Sequence, residues 1–232
     1  MKSLPVTLSR TEFQRGLGLL LFEQLVLPGL LITCIGSLNI SLTNAQYNFI
    51  YFLISYVSAI VLFRKFLWAE LEVALEKSIR ILNSLVISYG IYYVLSTGIA
   101  YLIDWIDPAF FNLNDANISA MSQQQFALIA VGTVILVPPA EELLFRGVLF
   151  NRIYQRYPVW AWVISIVSFS LIHLIGYIGH YSPLGFFLAF LQYLPAGIAL
   201  CFGYVHSGTI FTPILFHTLI NAIAMYYQFT MR

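Results

Sequence analysis

Long runs of apolar residues, separated by short polar segments, make up most of the chain. Seven of these runs are long enough, at about 1.5 Å per helical residue, to cross a hydrocarbon core of about 30 Å. They occupy residues 13–36, 47–66, 79–103, 123–150, 160–179, 183–205 and 209–229. The pattern predicts an all-α polytopic membrane bundle of about seven transmembrane helices.

Two polar segments interrupt this pattern. Residues 64–81 mix apolar positions with charged ones, which include Glu70, Glu72, Glu76, Lys77 and Arg80. This mixture is typical of an amphipathic helix that lies in the membrane interface, and it favours that reading over a partner-binding helix. Residues 104–122 are polar and predict an exposed loop.

Composition supports a membrane protein. Hydrophobic residues make up 60% of the chain and charged residues only 9%, which excludes an ordinary soluble domain. The net charge of +1, without a basic cluster, argues against nucleic acid as a partner and leaves the lipid bilayer as the surrounding medium. Cys34 and Cys201 lie in apolar runs without a CxxC spacing, which predicts buried free thiols.

The basic residues predict an orientation. In a seven-span chain all but one of them fall at the membrane face of the N-terminus, and basic residues mark the cytoplasmic face. We therefore expect a multi-pass protein of the cell (cytoplasmic) membrane with its N-terminus in the cytoplasm. The residues on that side are Lys2, Arg10, Arg15, Arg64, Lys65, Lys77, Arg80, Arg146, Arg152 and Arg156, with Arg232 opposite.

The fourth run contains Glu141, Glu142 and Arg146, three charged residues within six positions. Each charge at membrane depth costs about 2.5 to 3.5 kcal/mol on insertion scales, so pairing or a wet cavity is expected. On a helix Glu142 and Arg146 form an i, i+4 ion pair, whereas Glu141 projects about 100° away. A free carboxylate of this kind suits acid–base chemistry. The alternative is a structural role for all three residues. In that case the ion pair fixes the helix register, and Glu141 interacts favourably with the positive end of the helix dipole after two prolines.

Two later runs each contain a histidine that is paired with another residue at the same spacing of four. Phe169 and His173 share one helix face, and His217 and Asn221 share another. A single pair of this kind is ordinarily a core histidine or an interhelical hydrogen bond. Three such helices together weaken that interpretation.

A tight turn near residues 157–158 makes the fourth and fifth spans antiparallel. Counting from the turn places Glu141 and Glu142 level with His173 and its neighbour, and we expect one polar pocket that is reached from the cytoplasm. A carboxylate and an imidazole there would take a proton from water and return it to a leaving amine. An imidazole N–H and an amide N–H would stabilise the oxyanion.

In order and spacing, Glu141-Glu142-xxx-Arg146, Phe169-xxx-His173 and His217-xxx-Asn221 resemble the three motifs of the CPBP family, also called the Abi family, of CAAX prenyl endopeptidases and bacteriocin-processing enzymes. The resemblance covers roughly residues 127–225 and implies an intramembrane endopeptidase of prokaryotic type. It implies a CPBP-like catalytic core at 121–232, helices 4 to 7. Residues 1–120 would supply transmembrane helices 1 to 3 with the interfacial helix and the extracytoplasmic loop.

The resemblance also implies roles, residue by residue. Glu141 and His173 would activate the water, while His217 and Asn221 would form the oxyanion site. Glu142 with Arg146 would hold the fourth helix in place, and Phe169 would pack beside His173.

A metal ion is an alternative in this reading. Glu141, His173 and His217 would make a zinc site with an open position for water. No HExxH occurs, and an Asn beside the second His suits oxyanion binding better than ligation, so no cofactor is the preferred prediction and zinc the alternative.

The predicted function is hydrolysis of peptide bonds in membrane-associated substrates such as leader peptides or lipidated proteins. The alternative is a non-catalytic membrane scaffold or bacteriocin self-immunity protein of the same fold. A proton-coupled carrier is disfavoured because the sequence has no inverted repeat. Glu23, in the first run, predicts a hydrogen bond between helices rather than catalysis.

Overall fold

A computed structural model describes residues 3–230, and these residues form helices and connecting turns without a strand. Lys2 and Arg232, which enter the orientation count, lie outside the described residues. The helices are α1 (Arg10–Ser37), α2 (Asn44–Leu62), α3 (Arg64–Glu76), α4 (Ser78–Ile106), α5 (Leu113–Tyr154), α6 (Pro158–Ile172), α7 (Pro183–Ser207) and α8 (Phe211–Thr230). The all-α polytopic bundle is confirmed.

Five helices, α1, α2, α4, α5 and α7, are long and apolar enough to cross a membrane. The other two predicted spans, residues 160–179 and 209–229, do not meet this measure of length and composition. Helix α6 is apolar but has only 15 residues. Helix α8 has 20 residues, but polar side chains such as His217 and Asn221 lower its hydropathy.

Two predicted boundaries are wrong. The fifth run does not continue as a helix to residue 179, because α6 ends at Ile172 and a short 3₁₀ turn, Ile175–Tyr177, follows. The predicted loop at 104–122 is mostly helical, since Asn112 caps α5 by accepting from the backbone N–H groups of Asn114 and Asp115. Such a cap outweighs the polar composition of the segment.

Helix α3 lies where the amphipathic segment was predicted, but it stops at Glu76 and α4 begins directly after Lys77. Its buried face carries Phe66, Glu70 and Ala74, spaced four residues apart. The cysteines differ from each other: Cys201 is buried as predicted, whereas Cys34 is exposed near the end of α1.

Helices α5 and α7 form the centre of the bundle. Half of the most apolar window of each is buried, against 11% for α1 and α4. Helix α7 packs against α4, α6 and α8, while α2 packs against α5. The outward faces of α1 and α4 carry large apolar side chains such as Leu25 and Val94, as lipid-facing helices do.

The close contact between α2 and α5 depends on a glycine. A Cβ atom added at Gly132 would lie 2.7 Å from the ring of Phe52, too close for any side chain. Glycine therefore leaves room for the Phe52 ring of α2 just before the charged segment of α5.

Candidate active site

The charged segment of α5 follows an irregular part of the helix. Pro138 and Pro139 have no backbone N–H, and in a regular α-helix their rings would collide with the carbonyl groups one turn earlier. A π-helical turn, Gly132–Leu136, directly precedes them, and a second π-helical stretch, Leu143–Asn151, follows the glutamates. Each π turn accommodates one extra residue and so changes which side chains face the interior.

Glu142 and Arg146 form the predicted ion pair in the fully buried core, with Nη1 of Arg146 2.9 Å from Oε1 of Glu142. The guanidinium also donates from Nη2 to the carbonyl of Gly197 at 3.3 Å. Its carbon atom Cζ lies 4.4 Å above the ring of Phe169. The pair therefore connects α5 with α6 and α7, and its charges are balanced away from lipid.

His217 of α8 joins this pair. Its Nδ1 lies 2.9 Å from the same Glu142 oxygen, and the ring packs edge-on against Phe169 at 5.8 Å. A carboxylate accepts, so Nδ1 carries the proton and donates it to the hydrogen bond. In the neutral ring Nε2 then has a free lone pair.

Glu141 faces a different environment. It is half-buried and lines a cavity of about 530 Å³ together with His173. Its Oε2 atom is buried and has no hydrogen-bond partner among residues 3–230. A carboxylate oxygen with this surrounding is free to accept a proton from a bound water.

His173 stands at the end of α6, where it is held from three directions. Its Nδ1 lies 2.8 Å from the carbonyl of Phe169, its ring packs against the Phe169 ring at 4.9 Å, and it stacks on Tyr193 at 4.4 Å. Because a carbonyl only accepts, Nδ1 carries the proton. The free lone pair of the neutral imidazole is therefore on Nε2.

Tyr193 of α7 was not singled out from the sequence. Its hydroxyl lies 3.2 Å from Oδ1 of Asp115 and 3.3 Å from Oδ1 of Asn112, and it accepts from the side-chain amide of Asn114 at 3.1 Å. These contacts fix the ring on which His173 stacks. The available signal was a Gln-Tyr pair shortly before Pro195, inside an otherwise apolar span.

Glu23 was predicted to bond between helices, and its carboxylate lies beside the side chain of Ser55 on α2. The residue is 3% exposed, its Oε1 has no partner among the described residues, and it lies in a π-helical turn, Phe22–Val26. The hydrogen bond to this turn comes from the hydroxyl of Tyr51, which donates to the backbone carbonyl of Glu23 at 3.2 Å.

Asn221 also has a partner. Its side-chain amide donates to the backbone carbonyl of Thr133 at 2.8 Å, inside the first π turn of α5.

The structure separates the candidate residues into two groups. Glu141 and His173 line the cavity, whereas His217 and Asn221 contact α5 and are not among its lining residues.

The expectation that the pocket is reached from the end with the basic residues is wrong. The cavity rim is formed by the first turn of α2, the start of α5 and the turn after α6. Those segments lie at the opposite end of the bundle from Arg64, Arg152 and Arg156. The hairpin count placed the residues at the right height but did not determine the open end.

The described residues contain no group of three or more His, Cys, Asp or Glu side chains arranged to hold a metal ion. In particular, Glu142 holds His217 away from the cavity that Glu141 and His173 share. The three donors of the zinc alternative therefore do not converge on one point in this structure.

Residues 123–223 match the family model described as type II CAAX prenyl endopeptidase Rce1-like. The chain contains an Rce1-like domain. It includes all three motifs, in agreement with the resemblance seen in the sequence, and the family is one of CAAX-type proteases embedded in membranes. No curated protein matches the chain, and no solved structure does.

Proposed function

We propose that this Rce1-like protein is an intramembrane endopeptidase in which Glu141 and His173 activate a water molecule. One observation carries the proposal: both side chains line the same cavity, each with an atom free to bind a proton. These atoms are Oε2 of Glu141, which has no partner in the described chain, and Nε2 of His173, whose Nδ1 is occupied by a carbonyl.

The reaction follows from these two atoms. A water between Glu141 and His173 loses a proton to the carboxylate as its oxygen attacks the peptide carbonyl carbon. The proton then passes to the amide nitrogen, the C–N bond breaks, and a carboxylic acid and an amine leave. The ring of Phe169, which packs edge-on, and the ring of Tyr193, which stacks, hold the imidazole in the required orientation.

His217 and Asn221 stay the predicted oxyanion donors, but neither lines the cavity that Glu141 and His173 share. Asn221 uses one amide N–H for Thr133 and has a second to offer. His217 donates from Nε2 only as an imidazolium, because Nδ1 already donates to Glu142.

We propose a metal-free reaction, because Glu141 and His173 share the cavity while His217 is held at Glu142. Substrates are peptides or membrane proteins, including leader peptides and lipidated segments. The proposed catalytic core comprises residues 121–232, and residues 1–120 supply Gln24 and Tyr51 to one side of the cavity.

A non-catalytic scaffold or self-immunity protein is the competing function. The buried group formed by Glu142, Arg146 and His217 would serve a scaffold equally well, since it ties helices together. A carboxylate that lines a cavity and has one buried oxygen without a partner lowers stability, and it makes no contact that a scaffold would need. Glu141 therefore favours the enzyme.

The test is hydrolysis of a panel of short apolar and prenylated peptides by the protein purified in detergent, followed by mass spectrometry. We expect cut products from the wild type and none from Glu141→Ala. Equal products from both proteins, or none from either with the whole panel, would contradict the proposal.

A further inference from the structure

The cavity that contains Glu141 and His173 extends to one end of the bundle. Its rim is lined by residues from the first turn of α2, the start of α5 and the turn after α6, among them Asn44, Asn117 and Tyr177. All three segments lie at the membrane face that follows α1 in the chain, opposite the N-terminus. A substrate that reaches Glu141 through this opening arrives from that face.

The opposite end of the bundle is closed by a buried polar cluster. The side chain of Asn151 accepts from the backbone N–H of Leu8 at 2.9 Å and donates to the hydroxyl of Tyr204 at 2.6 Å. That hydroxyl donates to Glu70 at 3.0 Å, and Glu70 also accepts from the backbone N–H of Ile210 at 2.9 Å. Asn151, Tyr204 and Glu70 are fully buried, so the cluster fills the interior of the bundle at this end.

Within residues 3–230, lysine and arginine are confined to the closed end, apart from the buried Arg146. None occurs in residues 16–63, 81–145 or 157–230, the segments that include the whole rim of the cavity. The rim side carries Asp104, Asp107 and Asp115 instead. By the distribution of basic residues the closed end is cytoplasmic and the open end is extracytoplasmic.

The chemistry of the cavity wall indicates what enters it. Six side-chain amides line it, and the lining contains no lysine or arginine. They are Gln24, Asn44, Asn48, Asn114, Asn117 and Gln124. Amides offer both donors and acceptors, which match the N–H and C=O groups of an extended peptide, whereas a helical segment has already satisfied its own.

We infer that the site receives extended peptide segments from the extracytoplasmic face of the membrane, such as exported peptides or the unwound outer ends of membrane helices. The substrate class rests on the proposed endopeptidase function. The side of access does not, because it follows from the cavity and the charges alone.

Cysteine labelling tests the side of access without any assay of activity. In a Cys34→Ala background, Ala116→Cys places a thiol near the cavity rim and Ser78→Cys places one at the closed end; both positions are exposed and small. With a membrane-impermeant maleimide on intact bacterial cells, we expect Ala116→Cys to react and Ser78→Cys to react only after the membrane is opened. Labelling of Ser78→Cys in intact cells, or of Ala116→Cys only in detergent, overturns the inference.

Vesicles test the substrate class. A quenched fluorescent peptide with charged ends and an apolar centre, unable to cross the membrane, is added to right-side-out and to inverted vesicles that contain the protein. We expect cleavage by right-side-out vesicles, at least tenfold above inverted ones, and none with Glu141→Ala. Glu141-dependent cleavage mainly by inverted vesicles overturns the access while leaving the endopeptidase intact. If the detergent-solubilised protein cuts no peptide, the endopeptidase fails and the labelling alone decides the side of access.

Discussion

Nδ1 of His217 lies 2.9 Å from Oε1 of Glu142, the same oxygen that Arg146 contacts at 2.9 Å. One carboxylate atom thus joins α8 to the ion pair of α5. The two glutamates that adjoin in the sequence therefore have different tasks. Glu142 holds helices together in the core, while Glu141 faces the cavity.

We predict that Glu142→Ala destabilises the protein, because it leaves the Arg146 guanidinium buried without an anion. Breaking a buried pair in this way costs about 3 to 5 kcal/mol. The melting temperature in detergent and the yield should both fall. The control is the double variant Glu142→Gln with Arg146→Met, which removes both charges; if it melts no higher than Glu142→Ala, the stabilising role of the pair is wrong.

Glu141→Ala and His173→Ala should each abolish hydrolysis without lowering the melting temperature by more than a few degrees. Both side chains line the cavity, and acid–base catalysis contributes about 10² to 10⁴-fold in rate. Turnover of the best cut peptide is the measurement, with thermal melting of each variant beside it. Turnover near that of the wild type in either variant would refute the assignment of that residue.

The metal-free proposal predicts that substitutions at the candidate site residues have unequal effects on the rate. Asn221→Ala removes one oxyanion donor at a cost of about 10² to 10³ in rate, which leaves measurable activity, whereas Glu141→Ala leaves none. Elemental analysis and prolonged chelation of the purified protein complete the test. We expect full activity after chelation. Stoichiometric zinc, with activity lost on its removal and regained on its return, would favour a site formed by Glu141, His173 and His217.

Tyr193 is predicted to position His173. Tyr193→Phe keeps the stacked ring but loses the hydroxyl contacts to Asp115 and Asn112, so kcat should fall modestly. Tyr193→Leu loses the ring as well and should lower kcat further, with KM little changed, because the imidazole is no longer oriented. A larger loss in Tyr193→Phe than in Tyr193→Leu would show that the hydroxyl, not the stacking, matters.

We predict that stability depends on pH through Glu70 of helix α3, the helix predicted to lie in the membrane interface. Burial raises the pKa of Glu70 from 4.5 to about 7, against the opposing effect of its hydrogen bonds to Ile210 and Tyr204. The folded state therefore binds the proton more tightly than the unfolded state. The stabilisation from this proton is complete below pH 4.5 and is lost as the pH rises to about 7.

The neutral variant Glu70→Gln removes this titration. We expect the melting temperature of the wild type relative to Glu70→Gln to fall between pH 4.5 and 7, measured in the same detergent. A relative melting temperature that rises with pH over this interval would mean that the ionised carboxylate is the stabilising form, contrary to the effect of burial.

The sequence by itself determined the helical class and the pairs within single helices. A run of apolar residues of sufficient length forms a helix in a membrane whatever surrounds it, because the backbone must satisfy its own hydrogen bonds. The spacing of four residues likewise brings Glu142 to Arg146 and Phe169 to His173 with no information beyond the helical period. These relations are local.

Only the tertiary structure decided which helices share a partner and which end of the site is open. The contact of His217 with Glu142 and the stacking of Tyr193 on His173 depend on how each helix is rotated about its axis. The π turns in α1 and α5 change that rotation, since an extra residue turns the following face by about 100°. Apolar spans look the same from either membrane face, so the open end of the cavity followed from the packing of helix ends and not from the hydrophobic pattern.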